Sequence, residues 1–276
     1  MEELRSLVSE VQRESQSVCE EIRSFTSSLR NLVLLFCGDL RGVARHLATV
    51  LTLATNTSIT YMEGDYAYNT LLPYLERSEM GILLLAASES CLYRVASACS
   101  LLAVPTLVIS TKIRDEVKRR IRNVKILELE HDIVLTVLHA TLRIAAQSSE
   151  QRLKRLESEL DLGTVVNEVV ELYVQKLHSV ARKESLLVYS YSMEPAVDTL
   201  PIEKQSMERE ARANNVTILY ASTEDPLAAE YAFRLRRTNP STNIVFLRIN
   251  TDPLTAPLYA RIALLSALRS SARLIG

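Results

Sequence analysis

The feature that most constrains this chain is an alternation of two hydrophobic periods. Short apolar runs recur at NLVLLFC (31–37), TSITYM (57–62), GILLLAA (81–87), TLVIST (106–111) and VKILELE (124–130), and each is short enough to be a strand buried on both faces. Between them lie stretches of helical spacing: RGVARHLATVLTLA (41–54), YNTLLPYLER (68–77), LYRVASACSLLA (92–103) and IRDEVKRRIR (113–122), with a long helix over 133–147. Strands separated by helices must return in the same direction. The pattern therefore predicts an α/β fold: a parallel sheet with helices on both faces, in three layers. An opening helix over 1–28 carries Leu4, Val8, Val11, Val18, Ile22 and Phe25 on one face.

After a charged segment, SSEQRLKRLESELDLG (148–163), read as a connecting helix, the alternation resumes. A helix over 165–183 leads to SLLVYSY (185–191), and a helix over 202–215 leads to VTILYAS (216–222). DPLAAEYAFRLRR (225–237) then leads to NIVFLRI (243–249), and a final helix runs from Ala256. The expectation is two similar domains, 1–147 and 148–276, the second shortened. The repeat rests on element order alone.

Composition excludes several classes of function. The formal net charge is −1, so nothing steers the whole chain toward nucleic acid or anionic lipid. Trp is absent and Phe occurs four times, which leaves few platforms for stacking bases. The basic run KRRIRNVK (118–125) reads as a solvated helix end. The apolar segment 133–146 is interrupted by His139 and Arg143 and is too short to span a bilayer. The charged N-terminus lacks the apolar core of a signal peptide. These readings place the protein in the cytoplasm, with no membrane and no nucleic-acid partner. Cys19, Cys37, Cys91 and Cys99 show no C-x-x-C spacing and several sit in apolar runs, which argues for a reducing compartment and against a disulfide framework. Metal-ligand spacing, G-x-G-x-x-G, a Walker lysine and G-x-S-x-G are all missing, so neither metal nor cofactor is expected.

In open α/β sheets ligands bind beyond the carboxyl ends of the strands, where helix N-termini present unpaired N–H groups. Two turns stand at such places: FCGDLRG (36–42) and AASESC (86–91). In the second, Ser88 and Ser90 could hold a phosphate or merely cap the helix that follows. Glu89 would oppose an anion there by charge.

These segments resemble the sugar isomerase (SIS) domain family, as a tandem pair like the isomerase half of glucosamine-6-phosphate synthase. FCGDLRGVARHLATVL is similar to that family's first strand and glycine-rich turn. SEMGILLLAASESCLYRVASACSLLAVPTLVIST is similar to its central signature of strand, S-x-S-G-x-T, helix, strand and Thr. LELEHDIVLTVLHATLRIAA and TDPLTAPLYARIALLSAL resemble its later sugar-proximal and closing segments. The resemblance implies that Gly38, Ser88, Ser90, Cys91 and Glu130 bind a phosphosugar. It places Cys91 where Thr is usual, Glu89 where Gly is usual and Leu40 where Ser is usual. Thr136 retains a small polar position on the later helix.

An aldose–ketose isomerase also needs a base. The resemblance implies a glutamate from the second half, with Glu203, Glu208 and Glu210 open, while His131 follows Glu130 at a strand end as a further catalytic candidate. It also implies a homodimer, because a neighbouring subunit lends a histidine in that family. Two functions follow: a phosphosugar-binding protein capable of isomerisation, or a relative without catalysis that serves as a sensor or assembly partner.

Overall fold

The computed structural model describes residues 2–75 and 80–275, apart from the side chains of 272–275. It divides into two compact units, residues 9–160 and residues 1–8 with 161–276. The division falls at 160/161 rather than 147/148. The segment after 147 stays with the first unit because Leu153 and Leu156 are buried and the Leu160 carbonyl accepts from His139 Nε2 at 3.0 Å.

In residues 9–160 all five expected strands form: β1 (Asn31–Cys37), β2 (Ser58–Glu63), β3 (Met80–Ala86), β4 (Thr106–Thr111) and β5 (Lys125–Leu129). They make one parallel sheet in the order β2-β1-β3-β4-β5, with Cys37 opposite Ala86 and Ala86 opposite Ser110. The intervening helices are α1 (Glu2–Thr26), α2 (Arg41–Ala54), α3 (Gly64–Thr70), α4 (Glu89–Leu101), α5 (Asp115–Arg120) and α6 (Ile133–Ala146). Alternate side chains of the central strands point to opposite layers. Val33, Leu35, Ile82, Leu84 and Val108 meet Leu92, Val95 and Ala96 of α4. On the other face α2 packs against α6. Each fully buried Leu, Ile or Val contributes roughly 1.5–3 kcal/mol by leaving water, so this central seam carries much of the unit's stability. The helix expected over 68–77 is shorter than its pattern. Pro73 opens a separate 3-10 turn at Leu72–Tyr74, and positions 76–77 lie outside the described residues.

In residues 161–276 a four-stranded parallel sheet has the order β7-β6-β8-β9, from β6 (Leu186–Tyr189), β7 (Lys204–Ser206), β8 (Asn215–Ala221) and β9 (Asn243–Ile249). α7 (Gln151–Lys154) and a 3-10 turn replace the connecting helix. The helix expected over 165–183 is broken into α8 (Leu162–Leu172), a 3-10 turn and α9 (His178–Ala181). α10 (Glu194–Val197), α11 (Asp225–Thr238) and α12 (Ala256–Ile275) complete the unit. α11 covers one face of the sheet with Ala228, Tyr231, Ala232 and Leu235, and α12 packs against α8, α9 and α10.

The helix expected over 202–215 does not form. Its residues favour helices one by one, but its few apolar groups make no continuous face to bury. Residues 204–206 instead pair with β6 as an edge strand, with the Leu187 N–H donating to the Glu203 carbonyl at 3.1 Å. Among the described residues no helix is long and apolar enough to cross a membrane.

Candidate functional site

The carboxyl ends of β1 and β3 lie side by side, and the turns that leave them touch. The Ala87 N–H donates to the Cys37 carbonyl at 2.9 Å. Gly38 adopts φ +88°, where a side chain is strained, and a Cβ there would stand 3.4–3.5 Å from Ala87 and the Ser88 nitrogen. The glycine is needed for its left-handed backbone, and the first turn lies in van der Waals contact with the second.

Ser88 occupies the N-cap position of α4 with extended backbone (φ −118°, ψ 113°). Its hydroxyl does not cap the helix. It faces the Ser90 hydroxyl at 3.3 Å. By position, the first N–H groups of α4 have no carbonyl partner within the helix, and they open toward the same end of the sheet as the two hydroxyls. Ser90 is exposed and Ser88 half-buried. The arrangement offers hydroxyl and backbone donors to an anion.

Glu89 is engaged by Arg114. Its carboxylate accepts from the Arg114 N–H at 2.9 Å and from Arg114 Nε at 2.7 Å. Chiefly through that backbone bond, and then the guanidinium, Glu89 is held below the ordinary carboxylate range.

Two sequence expectations are corrected here. Cys37 and Cys91 form a disulfide, Cα–Cα 5.7 Å, although spacing argued against one. The 54 residues between them hide that β1 and the first turn of α4 meet in space. Cys91 is 3 % exposed and its sulfur is bonded, so its side chain supplies no polar group to a sugar where the family has Thr. Gly64 fits against this bridge: a Cβ there would lie 2.6 Å from Cys37 Sγ and 2.9 Å from Cys91 Sγ.

At the carboxyl end of β5, Glu14 of α1 gathers the later candidates. Its Oε1 accepts from the Glu130 N–H at 3.0 Å and meets His131 Nδ1 at 2.9 Å, and Thr136 Oγ1 donates to Oε2 at 3.4 Å. Glu130 enters through its backbone while its side chain is exposed. Sequence reasoning missed Glu14, which reads as one polar residue on an amphipathic helix. The same pattern hides the buried pair of His139 Nδ1 and Ser15 Oγ at 2.7 Å.

The second sheet has its own polar turn, also missed. Glu224 follows β8 and accepts from Ser190 Oγ at 2.5 Å, Ser192 Oγ at 2.6 Å, the Ala221 N–H at 3.1 Å and the Ser192 N–H at 3.3 Å. The candidate bases from this unit separate. Glu203 precedes the amino end of β7, away from the strand ends where ligands bind in parallel sheets. Glu208 lies just past its carboxyl end and lines a recess of ≈ 240 Å³ with Arg209, Glu210, Tyr231 and Arg234.

No family model matches the chain, and no curated protein matches it in sequence. Solved structures do match in shape. The C-terminal domain of glucosamine-fructose-6-phosphate aminotransferase from Francisella tularensis superposes with TM-score 0.66 at 10 % identity, over 99 % of this chain and 94 % of that one. A protein of Silicibacter pomeroyi DSS-3 assigned as a phosphosugar isomerase gives 0.64 at 11 % identity, over 100 % and 95 %. Glucosamine-6-phosphate deaminase from Thermotoga maritima gives 0.53 at 12 % identity, over 95 % and 94 %. Likeness at these identities shows the fold, and the fold is shared end to end.

Proposed function

We propose that this chain, which has the tandem SIS fold, binds a phosphorylated sugar at the turn between β3 and α4. The observation that carries the reading is the uncapped start of α4, where the Ser88 and Ser90 hydroxyls face each other and Glu89 is withdrawn onto Arg114. Hydroxyls and backbone N–H groups at a helix start suit a phosphate dianion. Gly38 brings the backbone of the first turn alongside. The names carried by solved proteins of this shape, an aminotransferase and a deaminase of sugar 6-phosphates, support the ligand class.

Isomerisation would add a proton transfer between adjacent carbons. Of the proposed bases, Glu208 stands at a carboxyl strand end, Glu203 at an amino end, and His131 is engaged by Glu14. A second reading, a sugar-phosphate sensor or assembly partner without turnover, is favoured by the sulfur of Cys91 being spent on Cys37. Both readings take the protein as a homodimer, which light scattering on a sizing column tests.

The deciding experiment is a thermal-shift series with fructose-6-phosphate, glucosamine-6-phosphate, glucose-6-phosphate and 6-phosphogluconate, and with inorganic phosphate as control. Ligand at 100 times its dissociation constant adds about 2.7 kcal/mol. A sugar-dependent rise in Tm that Ser88→Ala abolishes is the expected result. An unchanged Tm at millimolar concentrations of every sugar overturns the proposal. Binding without interconversion of fructose-6-phosphate and glucose-6-phosphate selects the sensor, and turnover lost in Glu208→Gln selects the isomerase.

A further inference from the structure

The two sheets provide a comparison within one molecule. Glu89 is the third residue after the end of β3, and Glu224 the third after the end of β8. Each strand occupies the same place in its sheet, between β1 and β4 in one and between β6 and β9 in the other. Glu224 takes two serine hydroxyls and two backbone N–H groups, the donor types a phosphate would need, with both serines supplied by the turn after β6. Glu89 has Ser88 and Ser90 beside it in its own turn, yet its carboxylate is held by Arg114.

The third residue after β4 is Arg114, and the third after β9 is Asp252. Arg114 is presented by a held loop. The preceding residue, Ile113, is buried, and its N–H donates to Glu128 Oε1 at 2.7 Å. The Arg114 side chain is 73 % exposed, so the pair with Glu89 adds little to stability. Its effect is to decide where one carboxylate sits.

We propose that Arg114 is a positioning residue for the cradle: by holding Glu89 outside, it leaves the Ser88 and Ser90 hydroxyls and the start of α4 free for phosphate. The proposal rests on the phosphosugar reading above. Without the guanidinium, Glu89 keeps only the Arg114 backbone N–H and is free to turn its other oxygen onto the Ser88 and Ser90 hydroxyls, where it uses the donors itself and repels a dianion at short range.

Binding of glucosamine-6-phosphate and of inorganic phosphate is measured by calorimetry for the wild type, Arg114→Gln, Glu89→Gln and the double variant. The expected result is a loss of about tenfold or more in Arg114→Gln, little change in Glu89→Gln, and recovery to within about twofold of wild type in the double variant. An equal loss in the Glu89→Gln background would mean that Arg114 touches the phosphate itself, and would overturn the proposal. So would undiminished binding in Arg114→Gln. A wild type that binds no phosphosugar ends the phosphosugar reading. The crystal structure of Arg114→Gln then decides the positioning claim alone, which stands if Glu89 reaches the Ser88 and Ser90 hydroxyls and falls if it stays outside.

Discussion

In residues 9–160 the glutamate that follows the central strand leans onto Arg114, whereas in residues 161–276 its counterpart folds into the turn and occupies four donors. The strand's place in its sheet and the acid three residues past it are alike, but α4 starts at Glu89 itself whereas a 3-10 turn over Ser222–Glu224 precedes α11, and the serines on Glu224 come from the turn after β6. The next strand is followed by Arg114 in one unit and by Asp252 in the other. A turn of this kind is a place where negative charge collects, and the side chains around it decide whether that charge comes from solution or from the chain. Fold similarity alone therefore does not identify the open site. The partner of the glutamate does.

The largest expected effect separating the two units is acid sensitivity. His46 and His139 both lie in residues 9–160, and burial, with Arg45 and Arg143 adding to it, lowers each to about 4. His139 stays neutral when its Nε2–H donates to Leu160 and Ser15 donates to Nδ1. The unfolded chain takes up these protons near 6.5, whereas the folded unit resists until about 4. Stability is thus full above pH 6.5 and is lost as the pH falls through that window, by up to about 3 kcal/mol per histidine. Hydrogen exchange followed by mass spectrometry at pH 7 and pH 4.5 should show residues 9–160 opening first. Equal loss of protection in residues 161–276 would contradict this.

Next in size is Glu224→Ala, which leaves two hydroxyls and two N–H groups without their acceptor. It should cost about 2 kcal/mol in denaturant unfolding, with Glu224→Gln costing less. A neutral Glu224→Ala would mean that water replaces the carboxylate without penalty and that the second turn is not closed by it.

Gly64→Ala comes third. Its Cβ would press on the bonded sulfurs of Cys37 and Cys91, neither of which can swing aside, at a cost of roughly 1–2 kcal/mol. The second sheet has Met207 at the corresponding place just past its edge strand, so Met207→Ala tests whether the crowding is peculiar to the first unit. The smallest effect on stability belongs to Arg114→Gln, whose Tm should stay within about 1 °C of wild type while its phosphate affinity falls. A large drop in Tm would make the arginine a structural residue instead.

Much of this was legible before any coordinates. Eight strand segments announced themselves by their apolar runs, and those inside the sheets, β1, β3, β4, β6 and β8, are buried along nearly their whole length. Gly38 was legible as a turn, and Ser88 and Ser90 as the start of a helix at a strand end. β7 was not legible, because an exposed edge strand of three polar residues carries no period and its residues individually prefer a helix. The helix expected over 165–183 had apolar residues enough to read as continuous, but the folded chain divides it into α8, a 3-10 turn and α9, each packed against α12. The boundary at 160/161 was hidden for a related reason: the charged segment reads as a connecting helix, whereas two buried leucines decide which unit owns it.

The sequence by itself determined two parallel α/β units and the end of each sheet at which polar turns collect, because hydrophobic period and chain direction are local properties. Only the tertiary structure decided that Cys37 meets Cys91, that Glu14 gathers His131 and Thr136, and that Glu89 pairs with Arg114 while Glu224 takes the Ser190 and Ser192 hydroxyls. Each of these is a meeting of groups far apart in the chain. A carboxylate is the same residue in both turns, and its position is set by which donor the folded chain brings within about 3 Å of it.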